Sequence, residues 1–307
     1  MNEEQRKQLV EEINALRRER NAVILAHYYQ PPEVQDIADF VGDSLQLAQQ
    51  AAATTADVIV FCGVHFMAES AAILSPEKIV LLPEKSAGCP MADMIDAEDL
   101  RAEKAKYPTA KVVCYVNSSA EVKAESDICC TSSNAEKVVE SLAGEDILFV
   151  PDANLGNYIA AKTNRPIRVW AGFCPTHQRL TKDDVLRSRR EHPGVKILVH
   201  PECREEVWRE ADYVGSTAGI IKYAENSPDQ EFIIGTECGI LHELKKRCPG
   251  KKFYLLSENA VCPNMKKTSL EKVRDSLLNL SPRVTVSKEI RERAVGALER
   301  MLEVTKK

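Results

Sequence analysis

One pattern recurs three times along this chain, and it limits the available folds more than any other feature. Short apolar runs stand at 57–63 (DVIVFCG), 146–152 (DILFVPD) and 231–237 (EFIIGTE), each followed by a helix-like stretch: HFMAESAAIL, NLGNYIAAKT and GILHELKKRC. A second apolar run comes next, at 78–84, 167–172 and 252–258. Shortly after it stands a Cys-Pro pair: Cys89-Pro90, Cys174-Pro175 and Cys262-Pro263. Cys174 lies 85 residues beyond Cys89, and Cys262 lies 88 beyond Cys174. An earlier run opens each unit, AVILAHYY at 22–29, KVVCYVNSS at 111–119 and KILVHPECR at 196–204. Runs of this length rich in Val, Ile and Phe read as buried parallel strands. Recurrence at a fixed period marks a repeated supersecondary unit.

Helices are expected ahead of the first strands, over 3–20, about 91–106 and about 178–192. Each unit then reads helix–strand–helix–strand–helix–strand–Cys-Pro. That alternation predicts an α/β fold of three pseudo-repeated, three-layer αβα units with parallel sheets, set around a pseudo-threefold axis. The expected units are 1–88 together with 264–307, then 89–173, then 174–263. The tail should add two helices. Thr268 and Glu271 have the spacing of a capping box, and Ser287 precedes the amphipathic run EIRERAVGALERML.

Composition narrows the partners. The net charge is −5 and no long basic block is present, which argues against nucleic acid or an acidic membrane as the main partner. No apolar run approaches the roughly 20 residues of a membrane helix. The charged N-terminal stretch lacks the apolar segment of a secretory signal, so a cytoplasmic location is expected. Ten cysteines are many for 307 residues. In a reducing compartment a disulfide framework is not expected, and no C-x-x-C pair suggests a zinc ribbon. Any metal ligands must come from far apart in sequence.

In parallel α/β units, ligands bind beyond the carboxyl ends of the strands, where each Cys-Pro sits. Inward-facing strand ends would bring Cys89, Cys174 and Cys262 together. Three thiolates at one point repel unless a metal neutralises them. Zinc on three cysteines is one solution. A [4Fe-4S] cluster is favoured, because three protein thiolates leave one iron open as a Lewis acid. Taken alone, each Cys-Pro could be a strand-end turn with a buried thiol. The other seven cysteines have no threefold partners and read as small buried thiols.

Polar pairs close the first strands: His27 and Tyr29, Tyr115 and Asn117, His200 and Glu202. Residues two apart on a strand share a face, so the three pairs should point into one cavity. The second helix of each unit should open at Ser44, Ser132 or Thr217. Three such helix starts would suit a substrate with several carboxylates or a phosphate, though plain N-capping is the alternative. Glu202 is the expected general base, since a carboxylate near a buried histidine and a metal can be tuned toward neutrality, with His27, Tyr29 and His200 as further proton handlers. His177, three residues after Cys174, should face the metal.

These segments together resemble the quinolinate synthase family, the iron–sulfur enzymes of de novo NAD biosynthesis. The resemblance runs over nearly the full length, through AHYYQ at 26–30, DFVGDSLQLA at 39–48, VIVFCGVHFMAE at 58–69, SAGCPMADM at 86–94, YVNSSAEVKA at 115–124, CTSSNA at 130–135, PDANLG at 151–156, WAGFCPTH at 170–177, HPEC at 200–203, GSTAGI at 215–220, GTECGI at 235–240 and CPNMKKTSLE at 262–271. It implies a triangular three-domain fold around a central [4Fe-4S] cluster on Cys89, Cys174 and Cys262. It also implies condensation of iminosuccinate with dihydroxyacetone phosphate to quinolinate, phosphate and water, with the open iron aiding dehydration. Positions matching the family's substrate contacts are His27, Tyr29, Ser44, Tyr115, Asn117, Ser132, His177, His200, Glu202 and Thr217. Functional coupling to an iminosuccinate-producing enzyme follows from the same resemblance. The C-terminal C-x-x-C-x-x-C of some members is missing here.

The competing readings are a diphthamide-type radical iron–sulfur enzyme of the same architecture and a non-catalytic iron–sulfur sensor. The inward polar pairs suit a small polyanion better than either.

Overall fold

The computed structural model describes residues 2–306. The first unit runs α1 (Glu3–Glu19), β1 (Ala22–His27), α2 (Pro32–Asp36), β2 (Phe40–Gly42), α3 (Ser44–Ala53), β3 (Val58–Cys62), α4 (His65–Leu74) and β4 (Ile79–Leu81). The second opens on a 3-10 turn at Ala92–Met94, then α5 (Ala97–Lys106), β5 (Lys111–Tyr115), α6 (Ala120–Ala124), β6 (Ile128–Cys130), α7 (Ala135–Ser141), β7 (Ile147–Val150), α8 (Ala153–Thr163) and β8 (Arg168–Val169). The third repeats the order from a 3-10 turn at His177–Arg179: α9 (Lys182–Glu191), β9 (Lys196–Val199), α10 (Glu205–Trp208), β10 (Tyr213–Val214), α11 (Thr217–Asn226), β11 (Glu231–Gly235), α12 (Ile240–Arg247) and β12 (Lys252–Leu255). Helices α13 (Leu270–Asn279) and α14 (Lys288–Lys306) complete the chain.

The three sheets are parallel and four-stranded, with the same order: β2-β1-β3-β4, β6-β5-β7-β8 and β10-β9-β11-β12. This is an α/β fold of three like units. Central strands are buried throughout, as Val58–Cys62 and Ile147–Val150 show, which is why they read as unbroken apolar runs.

The second strand of each sheet, β2, β6 or β10, is absent from the expected pattern. Each has only two or three residues, too few for a periodicity to register. One aspartate pins each of them. The carboxylates of Asp39, Asp127 and Asp212 accept the backbone N–H of Ile24, Val112 and Ile197, each at 2.8 Å. Their own N–H groups donate back to the carbonyls of the same three residues. This two-way clamp sets the register between the first two strands in every unit.

The tail differs from expectation in its cap. Ser269, not Thr268, caps α13 by accepting the N–H of Lys272, and the Thr268 hydroxyl is buried with no partner. Ser287 does accept the Ile290 N–H at the start of α14. Helix α13 packs on α1, whereas α14 lies on α4, α6, α7 and β6, across the first two units.

Candidate active site

Strand ends from all three units open on one cavity of about 170 Å³. Its walls include Cys89, Cys174 and Cys262, the six side chains of the strand-end pairs, Ser44, Ser132, Thr217 and His177. The residues singled out from sequence are therefore brought to one place.

Each Cys-Pro opens a turn: the carbonyls of Cys89 and Cys174 accept the N–H four residues on, and in the third unit the Pro263 carbonyl accepts that of Lys266. Backbone N–H groups two or three residues on point back at the sulfur: Met91 and Ala92 at Cys89, His177 at Cys174, Asn264 and Met265 at Cys262. Proline fits the second position because it starts the turn with φ already set and has no N–H to satisfy. Burial pushes the Cys89 thiol up to about 12 and raises Cys174 and Cys262 as well; a neighbouring thiol adds to the rise at Cys89 and Cys174, and Glu237 adds to it at Cys262. Such a site holds thiols poorly as free anions and well as ligands to a cation. Three inward thiols, each met by N–H donors, fit an iron–sulfur cluster that takes three protein ligands. Cys174, His177 and Glu202 also place a donor atom each within 4.8 Å of one another, a group able to hold a single metal ion.

The strand-end pairs share a local device in two units. The His27 ring Nδ1 accepts the N–H of Tyr29 at 3.1 Å, and the His200 Nδ1 accepts that of Glu202 at 3.3 Å. In each neutral ring the hydrogen then sits on Nε2. His200 Nε2 meets the Ser132 hydroxyl at 3.1 Å. Burial pushes both histidines down to about 3, so they stay neutral.

Glu202 departs from expectation. Burial favours its protonated form. The facing His177, with hydrogen bonds from its ring and from Tyr115, outweighs this and holds the carboxyl below the usual range. The bonds are short: His177 Nδ1 lies 2.7 Å from Oε2, and the Tyr115 hydroxyl donates to Oε1 at 2.5 Å. Burial keeps the phenols of Tyr29 and Tyr115 protonated.

The expected helix starts need one correction. Ser44 and Thr217 do open α3 and α11, but Asp43 and Ser216 do the capping, which leaves both hydroxyls free of that duty. In the second unit, Ser132 precedes the helix by three residues. There the Asn134 side chain accepts from Thr131 in a tight turn and delays α7 to Ala135.

Sequence reasoning missed several buried polar groups. Asp43 accepts the Ser133 hydroxyl at 2.5 Å, tying the first unit to the second. Glu237 is fully buried. It accepts the N–H groups of Cys262 and Gly239 and pairs with Lys266 at 2.9 Å. A side chain at Gly239 would come within 2.7 Å of the Tyr29 Cα, so only glycine fits that approach. Thr236 stands between Tyr29 and His177. The signal was available in GTECGI, where Thr236 and Glu237 follow a strand end as the expected pairs do. Six of the seven other cysteines are buried, and Cys238 is half-buried. Cys114 is lowered to about 7, mainly by a hydrogen bond from Cys129.

The family model for the quinolinate synthetase A protein matches residues 11–303. The chain is 60% identical to the quinolinate synthase of Methanosarcina barkeri over 300 residues, covering 98% of this chain and 99% of the relative. It is 59% identical to that of Methanoregula boonei over 294 residues (96% and 97%), and 59% to that of Clostridium kluyveri over 297 (96% and 98%). The chain belongs to the quinolinate synthetase A family.

Proposed function

We propose that this protein is a quinolinate synthase, condensing iminosuccinate with dihydroxyacetone phosphate to give quinolinate, phosphate and water. Among the residues described, the observation that carries the reading is the convergence of three Cys-Pro turns on the cavity that holds Glu202, Tyr29 and Tyr115. In this reading Cys89, Cys174 and Cys262 hold a [4Fe-4S] cluster near a pseudo-threefold axis. The units are 1–88 with 264–307, 89–173 and 174–263. When bound, the cluster supplies a Lewis-acidic iron free of protein thiolate.

The chain's own groups divide the remaining work. Ser44, Ser132 and Thr217 offer hydroxyls to the carboxylates and phosphate of the substrates, with the N-termini of α3 and α11 behind two of them. His27 presents its Nε2–H to a substrate oxygen, and His200 shares its own with Ser132. Asn117 Oδ1 is buried with no protein partner and accepts from the substrate amine. Glu202, ionised and within reach of two donors, takes the proton removed from carbon. Tyr29, kept protonated by burial, gives its proton to the departing hydroxyl.

The partners are the two small substrates, with functional coupling to an enzyme that makes iminosuccinate. The place of action is the cytoplasm, and no helix of the described residues is long and apolar enough to cross a membrane. Anaerobic reconstitution with iron and sulfide, followed by assay of quinolinate from both substrates, tests the reading. Bound cluster without quinolinate formation would overturn it.

A further inference from the structure

Of Ser44, Ser132 and Thr217, Ser132 alone stands outside a helix. Ser44 and Thr217 are the first residues of α3 and α11, whereas Thr131 to Asn134 form a loop between β6 and α7. A loop residue has no helix to aim it, so its neighbours must. On one side, the Ser133 hydroxyl is tied to Asp43. On the other, Asn134 is buried and its carboxamide is fixed at both ends. Oδ1 accepts the Thr131 N–H at 2.7 Å and the Thr131 hydroxyl at 3.2 Å. Nδ2 donates to the Thr305 hydroxyl oxygen at 2.9 Å and to the Met301 carbonyl at 3.4 Å, both near the end of α14. A backbone N–H only donates and a carbonyl only accepts, so a flipped amide would lose both ends. The Thr305 hydrogen goes to the Met301 carbonyl at 2.8 Å, which leaves lone pairs for Nδ2. Thr131 Oγ1 accepts the Ser133 N–H at 3.2 Å and closes the loop around Ser132. Ser132 Oγ then stands 3.1 Å from His200 Nε2. That nitrogen carries the ring hydrogen, so Ser132 accepts from it and keeps its own hydrogen for a substrate oxygen.

We propose that Asn134 is a positioning residue for Ser132, and that α14, which lies outside the three repeats, forms part of the substrate site through it. The inference deepens the proposed reaction and rests on that reading for the role of Ser132. In the first and third units Asp43 and Ser216 cap the helix that itself carries the hydroxyl. In the second the carboxamide closes the loop instead, and the far end of that carboxamide is held by a helix from the tail of the chain.

The test uses Asn134→Ala, which removes both ends, Thr305→Val, which keeps the shape and removes one acceptor of Nδ2, and Thr305→Ser, which keeps that acceptor. Ser132→Ala is the reference. The first readout needs neither cluster nor substrate: the ring Nε2–H shifts of His200 in the metal-free protein, which report its bond to Ser132. Asn134→Ala and Thr305→Val should move them toward the values of Ser132→Ala, and Thr305→Ser should leave them at those of the parent. The second readout is kinetic, on cluster-loaded protein of matched iron content. KM of Asn134→Ala should rise about tenfold with kcat unchanged, the size of one lost hydrogen bond to a charged group and the pattern of lost substrate binding. Combining Asn134→Ala with Ser132→Ala should weaken binding no further than Ser132→Ala alone, because one residue acts through the other. Parent-like His200 shifts in Asn134→Ala would overturn the proposal, as would losses in the double variant that simply add. If Asn134→Ala does not fold, Thr305→Val decides by the same criteria. Failure of the parent to form quinolinate would sink the assigned reaction and leave the His200 shifts to decide this inference.

Discussion

The first and third units treat their strand ends alike, and the second does not. His27 and His200 each turn Nδ1 back onto the N–H two residues on, locking a neutral ring and presenting Tyr29 or Glu202 beside it. The second unit has Tyr115 and Asn117 at the same positions, with no ring nitrogen to cap the chain. Its tyrosine instead reaches across to Glu202 of the third unit, and its asparagine keeps an open acceptor. The shared features of the units are therefore scaffold: sheet order, aspartate clamp and cysteine turn. The chemistry sits where the units differ.

The largest expected effect tests the shared part. Cys174→Ala should lose the cluster, its visible absorption and all activity, and Cys89→Ala and Cys262→Ala should behave identically if the three turns are equivalent. Cys203→Ala, at a buried thiol away from the cavity wall, should keep about four irons per chain. Iron analysis decides, and full iron in Cys174→Ala would end the equivalence.

The next tests the divergent part. Glu202→Gln should retain iron and still bind substrate while turnover drops by at least about 10²-fold, the low end for a positioned acid–base group. Tyr115→Phe should fall less, since it removes one donor to Glu202 and leaves His177. Steady-state kinetics with iron-matched samples gives the ranking, and the reverse order would place the base elsewhere.

Smaller losses are expected at the hydroxyls. Ser44→Ala and Thr217→Ala should each weaken substrate binding by about 1–3 kcal/mol, the cost of a charge-assisted hydrogen bond. Ser132→Ala should show a similar loss and also free the His200 Nε2–H. Normal binding in all three would show that these side chains serve only the fold.

The smallest effect separates the histidine units from the other. Folded His27 and His200 sit at about 3, well below the ordinary value near 6.5. Between those values the unfolded chain binds more protons, so stability falls as pH drops below about 6.5. From pH 6.5 to 5 each histidine should cost up to about 2 kcal/mol. Metal-free His27→Asn should lose about half of that pH dependence in thermal melts. Tyr115→Phe should leave it intact.

Much of this was legible in the sequence because three units in one chain check one another. A single Cys-Pro means little, but three at matching positions identified the cavity, and the strand-end pairs located its walls. The short strands β2, β6 and β10 stayed hidden because two or three residues carry no period. Asp39, Asp127 and Asp212, repeating at nearly the spacing of the cysteines, were the usable sign of them. The Thr268 cap failed because a local motif cannot say which of two adjacent hydroxyls the backbone will choose. The state of Glu202 was misread for a deeper reason. A buried histidine and a metal were expected beside it, but the donors that hold the carboxyl ionised arrive from two other segments, at Tyr115 and His177.

The two-way aspartate clamp has a consequence for symmetry. Three separate copies of one unit would be forced to present the same side chain three times around their common centre. Three glutamates there would repel, and three tyrosines would leave no base. Joining the units in one chain, each held by its own clamp, lets the strand ends vary independently while the frame stays fixed. A phenol, a carboxamide and a carboxylate can then meet in one cavity, and a substrate with different groups at its two ends can be bound in a single orientation.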